Sequence, residues 1–311
     1  MDPAETSMKA LRAHARGGAE QLTYEDAPAP GAPSAGEVRV RVRAAAITLD
    51  ELTWPDTWEA DGVDRTPTIP SHELAGVVTA IGPDVDGLAV GDAVFGLVPF
   101  DRDGAAAEYV LAPAAGLVHT PAGVSEVVAA AAVLPALTAL EALDAHLGLG
   151  SGQRLLVRGG TGAVASALIQ LARRMGLEVT ATVRSQTAVE HARRLGAATV
   201  LVGEEPTAAS FDAAIDAVGA GTPEWLYRAV RPGGRVVTLQ EPPDEDLARA
   251  AGVDARFFVV SPSAAALERL GALLAAGELE VAVAQTYPLS EGRTAYAGRS
   301  AAGPGKVVLE P

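Results

Sequence analysis

Arg154-Leu155-Leu156-Val157-Arg158-Gly159-Gly160-Thr161-Gly162-Ala163-Val164-Ala165 is the stretch whose reading decides the fold. A short apolar run ends in a glycine cluster. An amphipathic run follows, with Val164, Leu168, Leu171 and Met175 on one face. The pattern is strand, tight turn, helix. Gly160-x-Gly162-x-x-Ala165 fits the dinucleotide pattern G-x-G-x-x-A. In that pattern Gly160 permits the turn, Gly162 lets a pyrophosphate approach the backbone, and Ala165 keeps helix and strand close. The amides of Thr161, Ala163 and Val164 at the helix start then face the diphosphate, aided by the helix dipole.

The next strand spans 178–183. Its end is where an adenosine ribose would sit, and an acid there selects NAD. The chain instead reads Val183-Arg184-Ser185-Gln186. Arg184 and Ser185 can accept a 2′-phosphate through charge-assisted hydrogen bonds, so NADP(H) is the expected cofactor.

Outward from this point the alternation continues. Helices are expected at 163–175 and 187–195, each closed by a glycine, and strands at 199–202, 213–218 and 235–239. Strands alternating with helices imply a doubly wound parallel sheet covered on both faces. Upstream the texture is different. Val38, Val40 and Val42 alternate with Arg39, Arg41 and Arg43. Short apolar runs at 76–81, 93–98 and 108–111 are separated by turn residues. These read as a small barrel or sandwich. After a helix at 264–276, strand-like pieces return at 279–284 and 306–309. The expected organisation is therefore an α/β chain with a Rossmann domain over 126–256, inserted into a β domain made of 1–125 and 257–311.

The 311 residues carry a net charge of −15 and no cysteine. The acidic balance argues against nucleic acid and anionic membrane as partners. The missing cysteine removes disulfides, thiolate catalysis and thiolate zinc sites. No apolar run reads as long enough to span a bilayer, and the first ten residues have no signal pattern, so a cytoplasmic enzyme is expected.

The order of several motifs resembles the medium-chain dehydrogenase/reductases, in their zinc-independent, quinone oxidoreductase-like branch. Ser71-His72-Glu73-x-x-Gly76 is similar to that family's G-H-E-x-x-G segment, with Ser in place of the first Gly. Val90-Gly91-Asp92, Leu137-Thr138-Ala139, Asp216-x-Val218-Gly219, Arg231-Pro232-Gly233-Gly234 and Gly305-Lys306-Val307-Val308-Leu309 resemble its later blocks. The resemblance implies a GroES-like β-barrel catalytic domain, a Rossmann domain, and a cleft between them. It implies hydride transfer to a quinone or an activated alkene, a small-molecule substrate and a homodimer. It also implies that Thr138, Val218, Leu239, Phe258, Val259 and Lys306 lie near the cofactor, although for Lys306 a surface position is the simpler reading. The backbone of 257–262 is expected to pass the nicotinamide or to form a dimer edge.

In the family's zinc enzymes the His of G-H-E is a metal ligand. Here His72 has no cysteine partner and no histidine at ligand spacing, so no metal is expected, and His72 and Glu73 are read as hydrogen-bonding groups. Without a Lewis acid, conjugate reduction to an enolate is easier than carbonyl–alcohol chemistry. By resemblance, Thr48 and Glu51 occupy the block facing the nicotinamide, where many relatives have Asn and Asp. Thr48 can hydrogen-bond the cofactor ribose or a substrate oxygen. Glu51 is either a proton relay or a solvated or turn-stabilising charge. Trp54 and Trp58 either line a substrate pocket or pack beneath their loop. The tyrosine that some enoyl reductases place a few residues later is missing, so no proton donor is identified. Two further readings stay open: reduction coupled to cyclisation, and a cofactor-binding protein with little turnover.

Overall fold

A computed structural model describes residues 6–261, 263–298 and 304–311. The chain begins with an antiparallel pair, β1 (Ser7–Ala13) and β2 (Leu22–Pro28). β3 (Glu37–Ile47) keeps the alternation read from sequence in its first half. Val38, Val40 and Val42 are buried, while Arg41 and Arg43 are exposed. Its last four residues are buried without alternation. A small hairpin, β4 (Glu59–Ala60) with β5 (Val63–Asp64), precedes β6 (Glu73–Ile81), β7 (Ala93–Leu97), β8 (Tyr109–Pro113) and β9 (Leu117–His119). Gly76 in β6 lies so close to β3 that a Cβ would collide with the Arg41 carbonyl. That contact is the physical reason for glycine at this point of the motif.

The second unit supplies β10 (Arg154–Arg158), β11 (Glu178–Val183), β12 (Thr199–Val202), β13 (Phe211–Asp216), β14 (Val230–Thr238) and β15 (Asp254–Phe257). All its pairings are parallel, in the order β12-β11-β10-β13-β14-β15. The inner strands are continuous apolar runs, with Leu155, Leu156, Val157, Ala213, Ala214 and Ile215 all fully buried, as a sheet covered on both faces requires. The order reverses between β10 and β13, and in open α/β sheets ligands bind beyond the strand ends at that point.

The chain then returns to the first unit. β16 (Val283–Pro288) lies later than the strand expected at 279–284, and β17 (Lys306–Glu310) follows it. Seven strands form one sheet, ordered β16-β17-β3-β6-β7-β9 with β8 paired to β3. Together they make a GroES-like barrel whose core includes Leu11, Val40, Leu74, Val94 and Leu309.

The two compact units comprise residues 1–134 with 261–311, and residues 135–260. Both joints fall later than the expected 125/126 and 256/257. The first lies inside a single helix, Glu126–Glu141, at Pro135. That helix runs on through a π-helical turn, Ala142–Leu147. The combined segment Glu126–Leu147 is long and apolar enough to cross a membrane, which corrects the expectation that no run is. Yet 72% of its apolar window is buried inside the protein, as in a core helix. The expected passage over 257–262 is described to Ser261; Pro262 and residues 1–5 of the amino terminus lie outside the described residues.

Candidate active site

In the Rossmann unit the glycine turn joins β10 to the helix Ala163–Arg174. The glycines divide their work differently from the sequence reading. Gly159, not Gly160, takes the left-handed conformation, with φ 92°. A Cβ there would also lie 2.6 Å from Val218 Cγ2. Gly160 is needed for packing, since its Cβ would stand 2.8 Å from the Ala181 Cβ in β11. Gly162 is the helix N-cap and is exposed; a Cβ there would meet only the Gly159 carbonyl oxygen, at 3.6 Å. Space is open there on the side where the backbone would meet a ligand. The twelve-residue helix has no side-chain cap and no acid in its first turn. Its first amides, including those of Ala163 and Val164, are therefore left for an anion. Thr161 is half-buried beside them.

Asp216 ends β13 and is buried. It accepts hydrogen bonds from Arg158 Nη1 (2.6 Å), Thr222 Oγ1 (2.7 Å) and the Val218 amide (2.9 Å). This ties the loop after β13 to the end of β10 and fixes Val218, 47% exposed, against the glycine turn. Leu239, half-buried, donates its amide to the Asp216 carbonyl at 3.2 Å. The switch point thus gathers Gly160, Gly162, Val218 and Leu239. At the end of β11, Arg184 and Ser185 are exposed. Ser185 Oγ is 2.8 Å from Thr187 Oγ1, and among the described residues Arg184 makes no hydrogen bond or ion pair. Thr138 is buried on its helix. Phe258 stacks on His146 with ring centroids 4.2 Å apart, and Val259 is exposed. A diphosphate and a 2′-phosphate both fit this donor pattern.

The barrel unit carries a buried polar cluster. β17 and β6 flank β3, with Val307 paired to Ile47 and Glu73 to Ala46. That register brings Thr48, Glu73 and Lys306 together at neighbouring strand ends. Lys306 is not a surface residue, as the simpler reading had it: it is 8% exposed and forms an ion pair with Glu73, itself 1% exposed. Lys306 Nζ also donates to Thr48 Oγ1 at 2.8 Å, and Thr48 Oγ1 lies 3.3 Å from Glu73 Oε1. The Leu134 amide donates to Glu73 Oε2 at 2.9 Å. Burial pushes the Glu73 carboxyl up, opposed by Lys306.

Glu51 begins a short 3₁₀ turn, and its solvated reading is overturned because it is 1% exposed. It stabilises its turn from within. Its carboxylate accepts from the Tyr296 hydroxyl (2.6 Å), the Ser71 amide (2.9 Å) and the Thr48 amide (3.2 Å). Burial pushes it up to about 7 against the pull of those donors and Lys306. The Tyr296 hydroxyl is raised well above its ordinary value by burial and by the neighbouring Glu51 charge. Ser71 has φ 70°, a conformation that favours glycine. Its Oγ donates to the Ala46 carbonyl at 2.9 Å, a bond glycine cannot make.

Trp58 is 3% exposed, and its indole N–H donates to the Leu52 carbonyl at 3.0 Å, so packing describes it. Trp54 is half-buried and meets Phe100 edge-on at 5.3 Å. His72 packs edge-on against the same ring at 5.2 Å. Burial drives it down to about 3, and among the described residues its Nδ1 has no hydrogen-bond partner. Sequence reasoning missed Tyr296 entirely, since no local pattern links it to Glu51, 245 residues away.

A doubly wound sheet with this cradle is carried in one chain with a GroES-like barrel. Residues 34–122 match the alcohol dehydrogenase GroES-like domain and residues 187–309 the zinc-binding dehydrogenase family. A polyketide synthase system protein, NorB of Streptomyces orinoci, is 35% identical over 76% of this chain and 11% of its own length. The 2-methylene-furan-3-one reductase of Solanum lycopersicum is 32% identical over 79% of this chain and 64% of its own. This chain spans less than two thirds of either relative. A mycobacterial quinone oxidoreductase shares the fold at a TM-score of 0.81, with 26% identity over 98% of this chain and 100% of that one. A mycobacterial protein solved with NADPH does so at 0.86, again 26% identical, over 98% and 100%. The chain belongs to the medium-chain dehydrogenase/reductase superfamily, with its quinone oxidoreductase-like branch.

The name of the second matching family raises the question of zinc. The donors here do not fit it. The sequence has no cysteine. Glu73 is committed to Lys306, and no group of three potential ligand side chains gathers among the described residues.

Proposed function

We propose that the protein is an NADPH-dependent reductase that delivers hydride to an activated carbon–carbon double bond or a quinone without using a metal. The observation that carries the cofactor assignment is the exposed, unpaired Arg184 beside Ser185, where an NAD enzyme would place a carboxylate. The relatives named for polyketide synthesis and for a methylene-furanone favour an activated alkene, an enoyl thioester or enone, over a quinone.

The chain's own groups have separate tasks. Amides at the start of Ala163–Arg174 hold the diphosphate, with Gly162 leaving the approach clear. Arg184 and Ser185 hold the 2′-phosphate. Val218 and Leu239 give an apolar flank to the cofactor. Bound NADPH supplies the hydride. Thr48 then offers a hydroxyl to the oxygen on which enolate charge develops, a task that needs a hydrogen-bond donor and no Lewis acid. Trp54 and Phe100 offer apolar surface for the substrate. Two copies pair through the exposed edge of β15, where Phe257 is 38% exposed.

The test is oxidation of NADPH, followed by absorbance, with a panel of enoyl thioesters, enones and quinones, with and without a chelator. Turnover that survives chelation is expected. Arg184→Ala should weaken NADPH by about ten- to a hundredfold, the worth of one or two charge-assisted hydrogen bonds, and leave NADH unchanged. Equal loss for both cofactors refutes the phosphate assignment, and turnover abolished by the chelator refutes the metal-free reading.

A further inference from the structure

The cluster Thr48–Lys306–Glu73 has a property that the cofactor does not require. A lysine ammonium, 8% exposed, is held between a buried carboxylate and a hydroxyl. Among Thr48, Glu51, Ser71, Glu73, Tyr296 and Lys306, only Thr48 is not buried. The hydrogen bonds have a direction. Lys306 Nζ can only donate, so Thr48 Oγ1 accepts from it at 2.8 Å. The threonine's own hydrogen then has two choices. One is Glu73 Oε1 at 3.3 Å, a long contact with an oxygen that already takes the Lys306 ammonium. The other is a ligand outside the cluster. A hydroxyl polarised from behind by an ammonium is a stronger donor in front. Glu51 fixes the backbone of this hydroxyl by accepting the Thr48 amide at 3.2 Å, and Tyr296 fixes Glu51. Both side chains spend their polar atoms within the cluster.

We propose that Thr48 and Lys306 form the proton-delivery path of this reductase, with Glu73 as the residue that positions the ammonium; this rests on the reductase reading above. Hydride from NADPH forms the C–H bond at the β-carbon, NADPH is oxidised to NADP⁺, and the electron pair of the double bond moves toward the carbonyl as an enolate. The enolate takes the Thr48 hydroxyl proton. The Thr48 O–H bond is remade from a Lys306 N–H, leaving a neutral amine beside Glu73. Water reprotonates that amine after product leaves. Lys306 acts through Thr48 and does not touch substrate.

Three variants and one isotope measurement test the path. Thr48→Val should lower kcat by about 10²- to 10⁴-fold, the usual worth of a positioned acid, with NADPH affinity unchanged. Thr48→Ser, which restores the hydroxyl, should recover kcat to within about tenfold of wild type. Lys306→Met combined with Glu73→Gln keeps a neutral, packed pair. It should bind NADPH normally, lose kcat, and lose the solvent deuterium isotope effect expected on kcat of the wild type. Thr48→Val turnover within about threefold of wild type overturns the path. So does an undiminished isotope effect in the double variant. The reductase reading fails separately: a wild-type chain that binds NADPH yet oxidises none with any substrate of the panel refutes that reading and the path with it. Wild-type turnover with an unimpaired Thr48→Val refutes the path alone.

Discussion

The cradle of the Rossmann unit and the cluster of the barrel unit are built by opposite means. The cradle works through what is missing: side chains at Gly159, Gly160 and Gly162, a side-chain cap on the helix, and an acid in the first turn. All of it sits in about one turn of chain. The cluster works through what is present. Two carboxylates, an ammonium, three hydroxyls and several amides come from segments as far apart as Thr48 and Lys306, and nearly all are buried. A site made of absences tolerates only small residues but costs little to fold. A site made of buried charge is held by pairing, and removing one partner exposes the desolvation cost of the other.

The sharpest break of this contrast is Lys306→Ala. It strands Glu73 as a buried, unpaired carboxylate and should cost about 3–5 kcal/mol of stability in urea unfolding. Lys306→Met with Glu73→Gln should cost far less. If the single and double variants are equally destabilised, the pair is not what holds this region.

Glu51 gives the next largest effect, through pH. Its folded pKa is raised to about 7 from an ordinary 4.5. Below pH 4.5 the folded and unfolded chains both hold the proton, and its full stabilising contribution is present. As pH rises through 7 the unfolded chain gains by releasing a proton that the folded chain retains or gives up only at a cost. Glu51 therefore withdraws about 3 kcal/mol of stability across that window. Glu51→Gln should flatten the wild-type slope of stability between pH 4.5 and 7. Glu73, shifted in the same direction, stays in both proteins and cancels in the comparison. Parallel slopes would show that Glu51 ionises normally.

The smallest effects separate the glycines of the cradle. Gly160→Ala forces a Cβ to 2.8 Å from that of Ala181 and should cost about 1–3 kcal/mol of stability. Gly162→Ala meets only a carbonyl oxygen at 3.6 Å and should leave stability within about 0.5 kcal/mol. It should nevertheless weaken NADPH by about tenfold or more, because the methyl stands where the diphosphate approaches. Equal stability losses in calorimetry would erase the distinction between packing glycine and binding glycine.

These differences track what could be read from residues in order. The strand, turn and helix around Gly160 were legible because each is a local pattern with a local cause. The same holds for the alternation of β3 and the glycines that close two helices. The short helices Glu224–Ala229 and Glu245–Ala251 were not read. The second carried a signal, since Asp244 caps it by accepting the amides of Asp246 and Leu247, and Gly252 ends it in the left-handed conformation. The first pair of strands was blurred by alanine, which is small enough to be buried or exposed.

The sequence by itself determined the class of fold, the place of the dinucleotide turn, the missing acid after β11 and the lack of thiolate ligands. Each depends on the identity of residues adjacent in the chain. Tertiary structure alone decided that Gly159 and not Gly160 takes the left-handed turn, that Trp58 belongs to the core, and that Lys306 is an internal ion. It also decided that Tyr296 closes on Glu51 and that Thr48 accepts a hydrogen bond from a buried ammonium. The physical reason is register. Which residue of β17 lies beside the end of β3 is set by pairings across more than two hundred residues of chain, and burial, which gives those charges their energy, is a property of the neighbours so assembled.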